Sequence, residues 1–419
     1  MTKSRKSPMR WASALSTRPF LESAVEEVVS QALATLQDSA DLGMIFISSA
    51  FASEYSRLLP LFREKLPGVP LIGCSGGGIV GMTQRGKARE VEGEPSLSLM
   101  LAHLPGVKVQ PFYISAEDLP DLDSPPDTWT NLIGVPMSES PSFVLLADLQ
   151  RVNDLLQGLD FAYPGAPKVG GLASSGILGG STGLFGDRFY REGAVGVALS
   201  GNIVMETIVA QGCRPIGKPY WVMEGERNIL LAMQEDDGSG LPSEPCGVKR
   251  SPLEQLQELV QGLSEEDQRL AQQNHIFVGV VQNGFKQTLE PGDFLIRNLL
   301  GVDPRVGAIA IGDLIRSGQR IQFHLRDAET SAEDLDLLLR RYVQASSAQP
   351  SPSGALMFSC LGRGEGLYGE PNFDSQLVSE YLHEIAIAGF FCGGEIGPVG
   401  GSTFLHGYTS VFGIFREKE

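Results

Sequence analysis

Cations are scarce in this chain: 33 Lys and Arg stand against 50 Asp and Glu, a formal net charge of −17. Nucleic-acid recognition needs Lys and Arg against phosphate, so this balance argues against a nucleic-acid partner. Cysteine is scarce as well. The five cysteines, Cys74, Cys213, Cys246, Cys360 and Cys392, are far apart and form no C-x-x-C pair. That spacing disfavours a disulfide framework or a zinc ribbon and fits a reducing compartment, so a cytoplasmic location is expected. Long apolar runs are missing too. No stretch reaches the ~18 residues of a membrane-crossing helix, and no transmembrane segment is expected. No apolar h-region follows the basic, Ser-rich N-terminus, so it does not read as a secretory signal. Residues 1–18 are expected to form a tail.

Glycine, in contrast, is abundant, at 50 of 419 residues, and it has no three-residue period. A hydrophobic share of 42% excludes a largely disordered chain. The length predicts two domains.

Apolar spacing predicts a helix over 20–37, a buried strand over 43–48, a helix over 54–66 and a strand over 69–74. A glycine loop, Cys74-Ser75-Gly76-Gly77-Gly78, follows. Residues 96–104 and 107–114 read as a hairpin around Pro105-Gly106. The order returns with a strand over 142–147, a helix over 151–161, a strand over 167–171 and a loop running from Gly170 through Ser174 and Ser175 to Gly179-Gly180. A second hairpin is expected over 194–199 and 203–210. It returns again near the C-terminus with a strand over 356–359, a helix over 374–385, a strand over 387–391, the loop Cys392-Gly393-Gly394-Glu395 and a strand over 408–415. This predicts three copies of strand–helix–strand–glycine loop–strand. The S-x-x-D spacing of Ser115–Asp118 and Ser331–Asp334 echoes between copies as a helix-cap signal. Residues 119–141, 234–252 and 346–353 read as loops or linkers, and the domain boundary is placed near 211–218.

Three loops at equivalent places suggest a site where they converge. A glycine lets a ligand approach the backbone closely, and small hydroxyls add hydrogen bonds. The alternative is that the glycines serve tight turns and close strand packing. The candidate ligand-binding residues are Cys74, Ser75, Gly76, Gly77, Gly171, Ser174, Ser175, Arg363, Glu395, His406 and Tyr408. Arg363 and Glu395 offer one charge of each sign, which suits a zwitterion. An Arg363–Glu395 ion pair is the structural alternative, and Asp374 reads as a helix N-cap. Gly73-Cys74-Ser75-Gly76-Gly77 matches the G-x-S-x-G nucleophile elbow, which needs a helix directly after it and a histidine within reach. His406 raises a haem alternative as a single axial ligand. No other cofactor, no metal site and no catalytic residue is implied.

These segments resemble the FIST family of intracellular sensory modules. The matching runs are Leu71-Ile72-Gly73-Cys74-Ser75-Gly76-Gly77-Gly78-Ile79, Val169-Gly170-Gly171-Leu172-Ala173-Ser174-Ser175 and Ala210-Gln211-Gly212-Cys213-Arg214-Pro215. At the C-terminus they are Cys360-Leu361-Gly362-Arg363-Gly364 and Gly389-Phe390-Phe391-Cys392-Gly393-Gly394-Glu395-Ile396-Gly397-Pro398. The resemblance implies an N-terminal FIST region, here 19–215, and a C-terminal one, here 216–419. It implies a small ligand, amino acids being the usual suggestion, and no catalytic residues. No kinase, methyl-accepting or F-box signature is present, so the output would be a separate signalling or assembly partner.

The expectation is therefore an α/β protein of two related halves with mixed sheets and packed helices, acting as a sensor and not as an enzyme. A ligand-free scaffold or assembly factor, a haem-binding gas sensor and a Ser75 hydrolase are the alternatives.

Overall fold

A computed structural model describes residues 8–176, 180–238, 250–273, 275–284, 286–290, 292–383 and 385–418. The expected Gly179, Cys246 and most of the 234–252 linker lie outside the described residues. The chain forms two compact units, Met1–Ala210 with Asp336–Glu419, and Gln211–Leu335. This replaces the expected division at 215/216: the second unit is an insertion, and the chain returns to the first after it.

Unit 1 is built from three repeats. The first runs β1 (Arg10–Ser16), α1 (Leu21–Leu36), β2 (Leu42–Ser48), α2 (Tyr55–Lys65), β3 (Leu71–Gly76), β4 (Gly78–Met82), β5 (Ala88–Glu92) and β6 (Leu97–His103). The second runs β7 (Val107–Ile114), α3 (Pro126–Ile133), β8 (Ser142–Asp148), α4 (Val152–Ala162), β9 (Lys168–Leu172), β10 (Leu184–Phe185), β11 (Phe189–Tyr190) and β12 (Gly193–Gly201). The third begins with β13 (Val204–Ala210).

Unit 2 follows with β14 (Arg214–Glu226), β15 (Ile229–Glu235), α5 (Pro252–Gln261), α6 (Glu265–Gln272), β16 (Ile276–Val281), β17 (Phe294–Asp303), β18 (Ala308–Ile311) and β19 (Arg320–Leu325). Its six strands close into a barrel in the order β14-β15-β18-β17-β16-β19, every pair antiparallel. Ile216, Val222, Val278, Ile309 and Phe323 form its core with Leu256 of α5.

The third repeat resumes through α7 (Ala328–Ala345), β20 (Gly354–Cys360), α8 (Glu365–Tyr368), α9 (Phe373–Leu382), β21 (Ala386–Cys392), β22 (Glu395–Val399), β23 (Ser402–His406) and β24 (Ser410–Arg416).

Each repeat lays four strands in one order: β1-β6-β2-β3, β7-β12-β8-β9 and β13-β24-β20-β21. The inner pairs β2/β3, β8/β9 and β20/β21 are parallel, as a helical crossover requires. A two-stranded arm from another repeat then completes each sheet to six strands. The arm β10-β11 joins the first sheet, β22-β23 the second and β4-β5 the third. The exchange is cyclic, so no repeat is complete without another.

Alternation along the central strands sorts the layers. Met44 and Phe46, Val144 and Leu146, and Leu356 and Phe358 face one shared core, equivalent positions from all three sheets. Their neighbours face outward under helices: Ile45 and Ile47 pack with Val28 of α1 and Phe62 of α2. Leu145 packs with Trp129 of α3 and Leu159 of α4.

The mixed α/β class and the three repeats are as expected, but several details differ. The tail assigned to 1–18 contains β1, whose Trp11 to Leu15 are buried against β6. The expected hairpins at 105–106 and 201–202 are links between sheets: β6 and β7, and β12 and β13, lie in different sheets. The 119–141 linker holds α3, anchored by fully buried Trp129. Ser331 lies inside α7, where Asp327 instead accepts from the Thr330 N–H at 2.7 Å.

Candidate functional site

The three parallel strand pairs share one register mark. Gly73 lies opposite Ile45, Gly170 opposite Leu145 and Gly389 opposite Met357. A Cβ at any of them would collide with that partner's carbonyl oxygen. These glycines therefore serve close strand approach, the alternative weighed above. They also correct the alignment of the loops: Cys74 corresponds to Phe390, and Cys392 to Gly76. Both thiols are buried, and burial pushes both well above the ordinary thiol range, so they are protonated and unreactive.

Beyond these strands the loops meet, and Ser174 is the meeting point. Its hydroxyl accepts from the Gly77 N–H at 2.8 Å and donates to the Phe391 carbonyl, joining all three repeats at one atom. The Gly77 N–H also reaches the Phe391 carbonyl at 3.3 Å. Ser75 is fully buried. Its hydroxyl donates to the Ser174 carbonyl and accepts from the Gly183 N–H, each at 3.0 Å. The Ser175 carbonyl accepts from the Ser49 hydroxyl at 2.6 Å. The Leu172 N–H donates to Gly394 at 2.7 Å, and the Gly393 N–H to Leu172 at 3.0 Å.

Glycine is required here by packing between loops. A Cβ on Gly76 would strike Phe390, one on Gly77 would strike Leu361 and Gly176, and one on Gly171 would strike the Cys392 sulfur. Leu361 and Tyr408 form the outer rim: Leu361 lies beside Gly77 and the Tyr408 ring beside Gly362, and they are 41% and 36% exposed.

The nucleophile-elbow geometry is not present. The strand β4 follows Ser75 where the elbow needs a helix, and the Ser75 hydroxyl is tied to backbone groups.

The charged candidates are separated in role. Arg363 is buried and forms a two-pronged ion pair with Asp374, at 2.7 and 2.9 Å, and also donates to the Tyr368 hydroxyl. The anticipated Arg363–Glu395 pair is replaced by this one, and Asp374 acts as its carboxylate and not as the N-cap. Asn372 holds the N-cap position of α9. Glu395 is buried on β22 and accepts from the Thr409 N–H at 3.1 Å. His406 is buried in β23 opposite Glu395, with Nε2 3.0 Å from the Gly397 carbonyl oxygen; it packs within its sheet.

Sequence reasoning missed Asp374 as the partner of Arg363, Leu361 at the rim, and Glu90. Glu90 is buried on the arm β4-β5, where its carboxylate accepts from the Ser375 N–H of α9 at 2.7 Å and its own N–H donates to Asn372. Burial, helped by the charge of Asp374, pushes Glu90 up to about 7. No sequence signal marked it: Glu90 and Glu92 share one face of β5 by alternation, yet Glu90 is buried and Glu92 exposed.

Among the described residues, no helix is long and apolar enough to cross a membrane. Comparison with known proteins gives full-length relatives. An uncharacterized protein of Mycobacterium tuberculosis strain H37Rv is 32% identical over 413 residues, covering 97% of this chain and 100% of that protein. An uncharacterized protein of Mycobacterium bovis is also 32% identical over 413 residues, covering 97% and 99%. An F-box/LRR-repeat protein of Arabidopsis thaliana matches only 113 residues at 32%, 23% of this chain and 21% of its own. The solved structure of a cyanuric acid hydrolase from A. caulinodans aligns over 96% of this chain with 9% identity and a TM-score of 0.35, too distant to inform the chemistry.

The FIST N domain matches residues 41–235 and the FIST C domain residues 252–398. FIST domains are sensory domains, thought to bind small ligands in signal transduction. With both regions matched in order along most of its length, the chain belongs to the FIST family.

Proposed function

We propose that this chain is a sensory protein that binds a small polar ligand at the loop junction of unit 1 and passes the signal to a separate protein partner. The observation that carries this reading is the Ser174 hydroxyl, which ties the loops of all three repeats at one atom. A ligand that engages this junction acts on every sheet of the unit at once. Leu361 and Tyr408 are the exposed approach, Gly77 lies half-buried behind them, and Ser75, Ser174 and Ser175 form the polar floor. An amino acid is the ligand class, with Glu395 and the Arg363–Asp374 pair supplying charge. Because Asp374 already neutralises Arg363, a ligand carboxylate has to share that guanidinium.

Native mass spectrometry of the purified chain, followed by titration with a panel of amino acids, tests this. A stoichiometric amino acid, with affinity weakened in Ser174→Ala and Tyr408→Ala, supports the reading. Binding unchanged in both variants moves the site elsewhere. A chain that binds no amino acid and carries no co-purified small molecule is instead a scaffold that works through protein contacts.

A further inference from the structure

A surface concavity, separate from the loop junction, lies between the arm β4-β5 and α9. It offers about 420 Å³, within the range of small-molecule sites but open to solvent, and is lined by Thr83, Gln84, Arg85, Lys87, Ala88, Arg89, Asn372 and Gln376. Its charge is opposite to that of the molecule. Residues 83–89 carry Arg85, Lys87 and Arg89 and no acidic residue, in a chain of net charge −17.

Local geometry puts all three cations on the outside. The arm turns tightly at Thr83, whose hydroxyl accepts from the Lys87 N–H at 3.3 Å. Alternation on β5 then exposes Arg89 and buries Ala88 and Glu90. Among the described residues, none of these cationic side chains forms an ion pair or hydrogen bond. This contrasts with Arg57, Arg63 and Lys65 on α2, each of which has an acceptor. The opposite wall supplies amides. Exposed Gln376 lies one turn into α9, and Asn372, at its N-cap position, is fixed by accepting from the Glu90 N–H at 2.7 Å.

We infer that this concavity binds a phosphate-bearing small molecule, with Arg85, Lys87 and Arg89 on the anionic group and Asn372 and Gln376 on its neutral polar atoms. Three unpaired cations around one concavity match a group of more than one negative charge, and guanidinium forks match phosphate oxygens. The concave shape and the amide wall favour a small molecule over an acidic protein surface. The walls belong to the first and third repeats, joined here by Glu90 and α9. A bound anion therefore strengthens the joint that completes the third sheet.

Calorimetric titration of the full chain with inorganic pyrophosphate tests the site. Saturable binding is expected below ~1 mM, the upper range of common metabolite-site affinities. Arg85→Ser combined with Lys87→Ser and Arg89→Ser is expected to weaken it about tenfold or more. Gln376→Glu, which leaves the cations in place and puts a carboxylate on the facing wall, is expected to weaken it as well. Arg305→Ser, which removes a highly exposed cation of unit 2, is expected to leave it unchanged. Near-ultraviolet circular dichroism checks that the surface variants keep the native fold. Absence of saturable binding by the wild-type chain overturns the proposal, as does binding that Gln376→Glu leaves intact. The two sites are read with different probes, pyrophosphate here and amino acids at the junction, so failure of one is distinguishable from failure of the other.

Discussion

The two units solve the same problem, an exposed strand edge, in different ways. Unit 2 closes six antiparallel strands on themselves, so no edge remains. Unit 1 keeps three open sheets and covers the outer edge of β3, β9 and β21 with an arm lent by another repeat. Closure is local, whereas the exchange is cyclic and joins strands hundreds of residues apart, as where β4 pairs β21. Each arm also has its own fastening to the helix beside it. Glu90 holds Ser375 of α9, and Asp160 of α4 holds the N–H and hydroxyl of Thr403, at 2.6 and 2.8 Å. Arg63 of α2 holds the Asp187 carbonyl. In unit 1 every sheet therefore depends on an arm from another repeat, whereas the barrel's strands pair only with one another.

The sharpest break between the units should come from glycine. Gly389→Ala places a methyl against the Met357 carbonyl and is expected to cost more than ~4 kcal/mol or to prevent folding. Gly301→Ala on β17 of the barrel meets open space and is expected to stay within ~0.5 kcal/mol. Urea unfolding of both variants reads the difference, and a Gly389→Ala protein of wild-type stability contradicts the close-approach account.

Next is the buried ion pair. Asp374→Asn leaves the Arg363 guanidinium buried without its carboxylate and is expected to cost about 3–5 kcal/mol in unit 1. Limited proteolysis in the variant should then cut at β4-β5 before the barrel.

The units should also differ in the sign of their pH dependence. Glu90 is raised to about 7, first by burial and then by the charge of Asp374. The folded state therefore holds its proton where the unfolded chain has lost it. Unit 1 is expected to lose stability as pH rises from the unfolded carboxylate value of ~4.3 toward 7, by up to ~1.4 kcal/mol per pH unit. In unit 2, burial lowers His324 to about 4, against a smaller opposing pull from the Gln322 carbonyl. Its stability is expected to fall in the other direction, as pH drops from ~6.5 toward 4. Glu90→Gln and His324→Gln should each flatten only one of the two profiles, followed by thermal melts at several pH values. A profile that its own variant leaves unchanged rules out that group as the cause.

The smallest effect is expected from Ser174→Ala. The Gly77 N–H keeps its longer bond to Phe391, so the loss of stability is about 1 kcal/mol. Equilibrium unfolding checks this, and a much larger loss would make Ser174 a structural pillar and not a contact point.

Much of this comparison was legible in the chain. The apolar runs around Ile45, Leu145 and Met357 and the glycines after them marked three repeated strand–helix–strand units. The arms were not legible as such, because β10 and β11 have two residues each and no periodicity to read. The apparent hairpins at 105–106 and 201–202 misled for a physical reason: Pro105-Gly106 and Gly201-Asn202 make tight turns whether or not the flanking strands pair. The Arg363–Asp374 pair was hidden because Asp374 opens a helix, where an acidic residue already has a sufficient local explanation. The glycine-rich segments stood out in the sequence, but it could not show their true alignment or that Gly77 and Gly176 pack on one another.

Hydrogen exchange read by mass spectrometry, with and without a mixture of amino acids at ~1 mM each, tests the junction most directly. The account predicts slower exchange around 75–77, 174–176 and 391–394 together, with 211–335 unchanged. Protection confined to 211–335, or to one loop without the other two, would contradict it.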